Sequence, residues 1–229
     1  MNRLWRRSCA WLAALVVAVA VPLASAPLAA AAEDSVDSWH VNFTIQADGA
    51  VQVREEIVWR FGEPDRHGIY RLLVTREPHD AQHDRVYAIH DIKVHSPDAP
   101  ASFRLNDKGV GRKRDIEIRI GDEDVKVKGP TATYIIEYRM TGALRSFADH
   151  DEFYWNALTP RDPHVKDVQF TVTAPGGLTM ANCFVGAQGS TTSCDSATVQ
   201  ADGSGQYMHA DKGADQYVTL GAHFAKGTV

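Results

Sequence analysis

Val51-Gln-Val-Arg-Glu-Glu-Ile-Val-Trp-Arg-Phe61 puts Val51, Val53, Ile57, Trp59 and Phe61 on one parity and Gln52, Arg54, Glu56 and Arg60 on the other. Successive side chains of a strand leave opposite faces of a sheet, so this stretch reads as a strand with one buried and one wet side. The same period recurs downstream. Ile116, Ile118 and Ile120 alternate with Asp115, Glu117 and Arg119. Tyr134, Ile136, Tyr138 and Met140 alternate with Thr133, Glu137 and Arg139, and Val168, Phe170 and Val172 with Gln169, Thr171 and Thr173. Half-buried strands of this kind belong to antiparallel sheets.

Turn residues separate these runs. Asp48-Gly49 lies between Val41-Phe43-Ile45 and Val51-Val53, the signal of a two-residue hairpin. Gly121-Asp122, Gly129-Pro130, Pro175-Gly176-Gly177 and Asp202-Gly203 punctuate the rest. Residues 63–84 are less regular and read as a long loop carrying one strand, Ile69 to Val74. No amphipathic helix and no internal repeat follow residue 32. Roughly ten short strands with regular breaks predict an all-β protein, an antiparallel β-sandwich that is immunoglobulin-like in general architecture. Residues 177–229 are expected to complete that sandwich or to form a poorly separated subdomain.

The first 32 residues have another character. Arg3, Arg6 and Arg7 precede an apolar stretch from Cys9 to Val21, and small residues accumulate to Ala32 before Glu33-Asp34. Charged, apolar and small-residue regions in that order make an export signal, here preceding the sandwich as a signal helix. Cleavage fits after Ala26 or Ala32, and the second is preferred because the charged chain then starts at once. The rival is an uncleaved anchor, since about 20 apolar residues span a bilayer; Pro22 and Pro27 interrupt it. Cys9 lies ahead of the apolar region and is no lipidation site. Residues 33–229 remain as a single exported domain, periplasmic or otherwise extracytoplasmic.

Without those three arginines the 24 basic residues become 21 against 29 acidic, a formal charge of −8. Nucleic acid is a poor partner for that balance, and anionic headgroups are disfavoured for the same reason. No apolar run after residue 32 reaches membrane-spanning length. Cys183 and Cys194, an even pair in an exported chain, predict a disulfide. Closing so short a loop should contribute about 3 kcal/mol in the chain-entropy model. A metal or redox pair would want a Cys-x-x-Cys spacing, which is missing.

Three constellations can carry chemistry. His79-Asp80-Ala81-Gln82-His83 spaces two histidines for zinc on a helix, but Pro78 precedes them and strand-like residues follow, so a polar surface loop is expected. Asp149-His150-Asp151-Glu152 gathers three carboxylates and an imidazole before Phe153-Tyr154-Trp155-Asn156. That set would suit a metal ion or form a charged turn ahead of a buried strand. Arg66-His67-Gly68-Ile69-Tyr70-Arg71 offers two guanidinium forks. Arg66 and Arg71 are expected to clasp Asp149, Asp151 or Glu152 of the same chain rather than capture a ligand. There is no Gly-x-Ser-x-Gly elbow and no phosphate loop, and no cofactor is expected.

These pieces, with Val51 to Ile57, Ile118-Arg-Ile-Gly-Asp122, Tyr134 to Arg139 and the cysteine pair, resemble a family of predicted bacterial membrane proteins carrying a domain of unknown function, DUF2207. The resemblance covers nearly all of the chain after the signal. It implies an exported domain followed by membrane-spanning helices, with no activity or catalytic residues to carry over. This sequence reaches Val229 without such a helix, and the expectation is either a truncated or separately encoded exported domain or one tethered by the amino-terminal segment alone. The first functional expectation is a non-enzymatic envelope module with an envelope or membrane protein partner. The alternatives are a metal-dependent hydrolase using Asp149, His150, Asp151 and His67, and a glycan-binding sandwich using exposed Trp39 or Tyr70. Oligomeric state is not legible.

Overall fold

Strand formation follows the alternation. The computed structural model describes residues 32–229, and the export-signal and cleavage readings lie essentially outside the described residues. Those residues form fifteen strands: β1 (Ser35–Ile45), β2 (Val51–Arg60), β3 (Gly68–Pro78), β4 (Asp84–Val86), β5 (Ala88–His95), β6 (Phe103–Val110), β7 (Lys113–Gly121), β8 (Thr131–Thr141), β9 (Leu144–Ser146), β10 (His150–Leu158), β11 (His164–Thr173), β12 (Leu178–Gly186), β13 (Ser196–Val199), β14 (Gly205–Lys212) and β15 (Tyr217–Ala225), counted among the described residues. Among the described residues there is no helix, and so none long and apolar enough to cross a membrane.

The strands form a seven-stranded sheet, β13-β14-β11-β1-β2-β8-β5, and two four-stranded sheets, β12-β15-β10-β9 and β4-β3-β7-β6. One face of the large sheet is roofed by both small ones. Phe43 of β1 packs on Phe153 of β10 with centroids 5.3 Å apart. The Tyr207 hydroxyl of β14 donates to the Gly221 carbonyl of β15 at 3.2 Å. Arg71 of β3 reaches Glu55 of β2. The architecture is therefore a sandwich with a divided second layer. Its interior takes Val51, Val53, Ile57, Trp59 and Phe61 from β2 and the adjoining loop, Tyr134, Ile136, Tyr138 and Met140 from β8, and Val168, Phe170 and Val172 from β11, all buried. Residues 177–229 enter both layers, β13 and β14 beside β11 and β12 and β15 beside β10.

Four details depart from the sequence reading. The strands exceed the roughly ten expected in part because β4, β9 and β13, of three or four residues, are too short to show a period. One pairing is parallel, β1 with β11, and only the intervening chain makes that possible. Asp48-Gly49 does not make a two-residue turn. It sits inside a longer connection in which Gln46 N–H bonds Ala50 C=O at 2.8 Å and the Asp48 carboxylate accepts from Ala50 N–H at 3.1 Å. The strand expected at Ile69 to Val74 continues through a bulge to Pro78, where it pairs with β4.

The Cys183–Cys194 disulfide is present, with Cα atoms 5.3 Å apart. It ties β12 to the segment that returns along it, just ahead of β13 in the other layer. Cys194 N–H also bonds Cys183 C=O at 3.1 Å, which seats the returning loop on β12.

Candidate functional site

On β2 the inward parity includes one charge, Glu55, between Val53 and Ile57. On β3 it includes Arg71, between Ile69 and Leu73. Both side chains are buried, at 1% and 4% exposure. Arg71 grips Glu55 with two parallel bonds, Nε to Oε2 at 2.9 Å and Nη2 to Oε1 at 3.1 Å. Its other N–H groups go to Asp162 Oδ1, Leu72 C=O and Ala157 C=O, each at 3.2 Å. All five guanidinium donors are used. Glu55 also accepts from the Trp39 indole at 3.1 Å and the Tyr138 hydroxyl at 2.7 Å, so each of its oxygens holds two bonds. The guanidinium lies 4.7 Å above the Trp39 ring, a cation–π contact shielded from water.

A second cation completes the set. Lys212 is wholly buried and donates to the carbonyls of Thr159 and Asp162 at 2.9 and 2.8 Å. The Asp162 carboxylate accepts from Thr159 N–H at 2.7 Å. Burial opposes charge on Arg71, but the negative charges of Glu55 and Asp162 outweigh it and raise its pKa. Burial lowers the pKa of Lys212, and Asp162 works against that. Burial, then the Glu55 charge, pushes the Tyr138 phenol well up. This cluster locks β1, β2, β3, β8 and the loop after β10 together at the middle of the sandwich.

Above it, the outer face of the β3-β7-β6 sheet forms a cleft of about 630 Å³ between residues 65–70, 102–104 and 119–124. Two sequence motifs meet here in register: Gly68 opposite Gly121, Ile69 opposite Ile120, Tyr70 opposite Arg119 and Arg71 opposite Ile118. Gly68 and Gly121 both have positive φ, 152° and 132°. A Cβ on Gly68 would lie 1.9 Å from the Ile120 oxygen, and one on Gly121 2.0 Å from the His67 oxygen. Only glycine permits that approach. Ile69 and Ile120 point into the core, while Tyr70, Arg119 and Arg104, registered across three strands, face outward and are exposed. Nearby Arg66 pairs with Asp34 at 3.1 Å and Arg161 with Asp115 at 2.6 Å. Arg104 and Arg119 have no carboxylate partner among the described residues.

The clasp forms with other partners than expected. Arg71 turns to Glu55 and Asp162, and Arg66 to Asp34, instead of Asp149, Asp151 or Glu152. Arg71 meets β10 at Ala157, five residues along the strand from Glu152, and at about 3.3 Å per residue no side chain spans that gap. Alternation on β10 also separates the acidic set. His150 and Glu152 share one face with Tyr154, while Asp151 turns with Phe153 and Trp155. His150 stacks between Phe147 and His223, at 4.7 and 4.3 Å, and takes Asp149 at 2.8 Å. Glu152 lies 3.3 Å from His223 and 3.5 Å from Arg145. His67 belongs to the cleft, its Nδ1–H donating to the Asp122 carbonyl at 3.1 Å. Among the described residues no three His, Cys, Asp or Glu side chains are placed to share a metal ion. His79 and His83 lie on the loop between β3 and β4, where His83 meets Asp80 at 2.9 Å. Trp39 is buried at 1% exposure and offers no surface to a glycan; Tyr70, at 56%, does.

Asp151 is nearly covered and accepts from Lys226 at 2.8 Å, Ser146 at 2.8 Å and Gly227 N–H at 3.2 Å. The Lys226 bond, then the Ser146 bond, hold its pKa down from 3.8 to about 2. Arg60 does the same for Asp37, also to about 2. Because the folded values lie below the ordinary one, both groups stabilise the fold fully above pH 3.8, and that contribution disappears as pH falls toward 2. Urea midpoints of the Asp37→Asn/Asp151→Asn variant should accordingly be lower than wild type at neutral pH and fall less steeply on acidification. Parallel pH profiles for the two proteins would contradict this assignment.

Among solved structures, native yeast LTA4 hydrolase is 10% identical over 83% of this chain and 29% of its own, with a TM-score of 0.48. The M1 zinc metallopeptidase from Deinococcus radiodurans is 10% identical over 83% of this chain and 42% of its own, with a TM-score of 0.35. The chain thus spans well under half the length of either, and likenesses this partial carry no inference about its chemistry. A search of curated proteins finds no match. Residues 35–224, from the first strand to the last, match the family described as predicted membrane protein (DUF2207), N-terminal domain, and the chain belongs to that family.

Proposed function

We propose that this domain is an extracytoplasmic, non-enzymatic module that binds or braces another component of the cell envelope. The observation that carries the reading is the saturation of its buried charges. Every donor of Arg71 and both oxygens of Glu55 are taken by the chain itself, so these buried ionisable groups serve packing rather than a reaction. Catalytic groups need a free valence toward a substrate. Membership of a family of predicted membrane proteins supports work at a membrane, and the disulfide supports an oxidising compartment. Sandwich loops and outer faces supply contacts of this kind.

The test is photo-crosslinking in intact cells, with a photoreactive residue at exposed Tyr70, Val110, Phe147 or Met208, one position per variant. A discrete envelope adduct from one face, in cells whose chain is oxidised and reached by external protease, is the expected result. A reduced, protease-protected chain, or the absence of adducts from all four positions, would overturn the proposal.

A further inference from the structure

We infer that the cleft over β3, β7 and β6 is a binding site for an acidic saccharide, held by Arg104, Arg119 and Tyr70. This deepens the envelope-module reading and rests on it.

Arg104 and Arg119 are direct cross-strand neighbours. Side chains so placed start with Cβ atoms about 4.5–5.5 Å apart, and like charges in that position destabilise a sheet. Most other arginines among the described residues lie against carboxylates, whereas this pair does not; Arg76 and Arg114 also face each other without one, but away from the cleft, which Arg104 and Arg119 line. Two adjacent forks can converge on a single carboxylate from outside, which would remove the repulsion and satisfy both.

Tyr70 occupies the next place in the same row, roughly 4.8 Å across the sheet from Arg119, with more than half its surface open. Its ring gives a flat apolar face beside the cationic pair, as a pyranose ring with one acidic substituent requires. Four carboxylates also line the cleft: Asp65 is held by Lys126 and Asp122 by Asp124 N–H, while Glu123 and Asp124, exposed on the lip, can accept hydroxyl hydrogens and would repel a densely charged ligand. They disfavour polyphosphate and anionic lipid surfaces and leave room for a sugar with one charge per ring. The volume of about 630 Å³ lies within the range of ligand pockets, about 300–1,000 Å³. Strand pairing, with the close Gly68–Gly121 approach at its end, sets Tyr70, Arg119 and Arg104 in one row, so the fold itself arranges the row for a ligand.

Isothermal titration of the full chain at low salt, with trigalacturonic acid as probe, tests the assignment. Saturable binding is expected, weakened about tenfold or more by Arg104→Gln/Arg119→Gln and by Tyr70→Ala. Neutral galactotriose and inorganic phosphate should each bind at least about tenfold more weakly. The double glutamine variant should melt no lower than wild type, since it removes a repulsion. Failure of the acidic trimer to saturate, equal affinity for either control, or unchanged affinity in the double variant would overturn the inference. Crosslinks formed in cells would survive any of those outcomes, so the broader envelope reading stands or falls separately.

Discussion

Replacing Arg71 by alanine should lower the stability of the fold by about 3–5 kcal/mol, because it leaves buried carboxylates without their counterion. Glu55 would keep only the Trp39 and Tyr138 bonds, and Asp162 those from Thr159. For a chain of this size the loss corresponds to a fall in Tm of roughly 6–20 °C. Lysine should not rescue it, since a point charge with three donors cannot replace a planar fork with five. Changing both partners, as in Glu55→Gln/Arg71→Met, should cost less than the sum of the single changes, because no unpaired charge remains on either side of that contact. A thermal melt of the four proteins measures the coupling. Strictly additive losses would mean that the pair is not an energetic unit.

Alanine at Gly68 or at Gly121 is expected to have an effect of similar size for a different reason. Each Cβ would fall about 2 Å from a carbonyl oxygen of the facing strand, so the backbones must separate. Strain at positive φ costs about 1–3 kcal/mol and overpacking a similar amount, giving roughly 2–6 kcal/mol in all. The separation would also open the ladder that aligns Tyr70 with Arg119. Hydrogen exchange should therefore show lost protection along β3 and β7 in either variant. Protection like that of the wild type would mean that the crossing tolerates a methyl group.

The alternation in residues 51–61 marks β2, its inward set and the antiparallel layering correctly, because strand parity is a local property of the backbone. The same parity also held the signal for the buried cluster. Glu55 sits on the apolar side of its strand, as Arg71 does of its own, and a charge on an inward parity must find a partner inside. What the pattern cannot contain is which partner. Asp149 to Glu152 gather three acids in four residues and drew the sequence argument, but Arg71 meets β10 at its far end. Asp162 and Lys212 carry no local mark at all, since both become buried only when the loop after β10 folds under β14.

The all-β class, the inward rows and the disulfide pairing were determined by the sequence alone. Each depends on neighbours one, two or eleven positions away or on the redox setting that an export signal would imply. Only the tertiary structure decided that His67-Gly-Ile-Tyr-Arg71 lies along Ile118-Arg-Ile-Gly-Asp122, and that one face of this ladder closes a buried ion cluster while the other opens as a cleft. Register between distant strands is settled by the packing of whole layers, and no single segment carries that information.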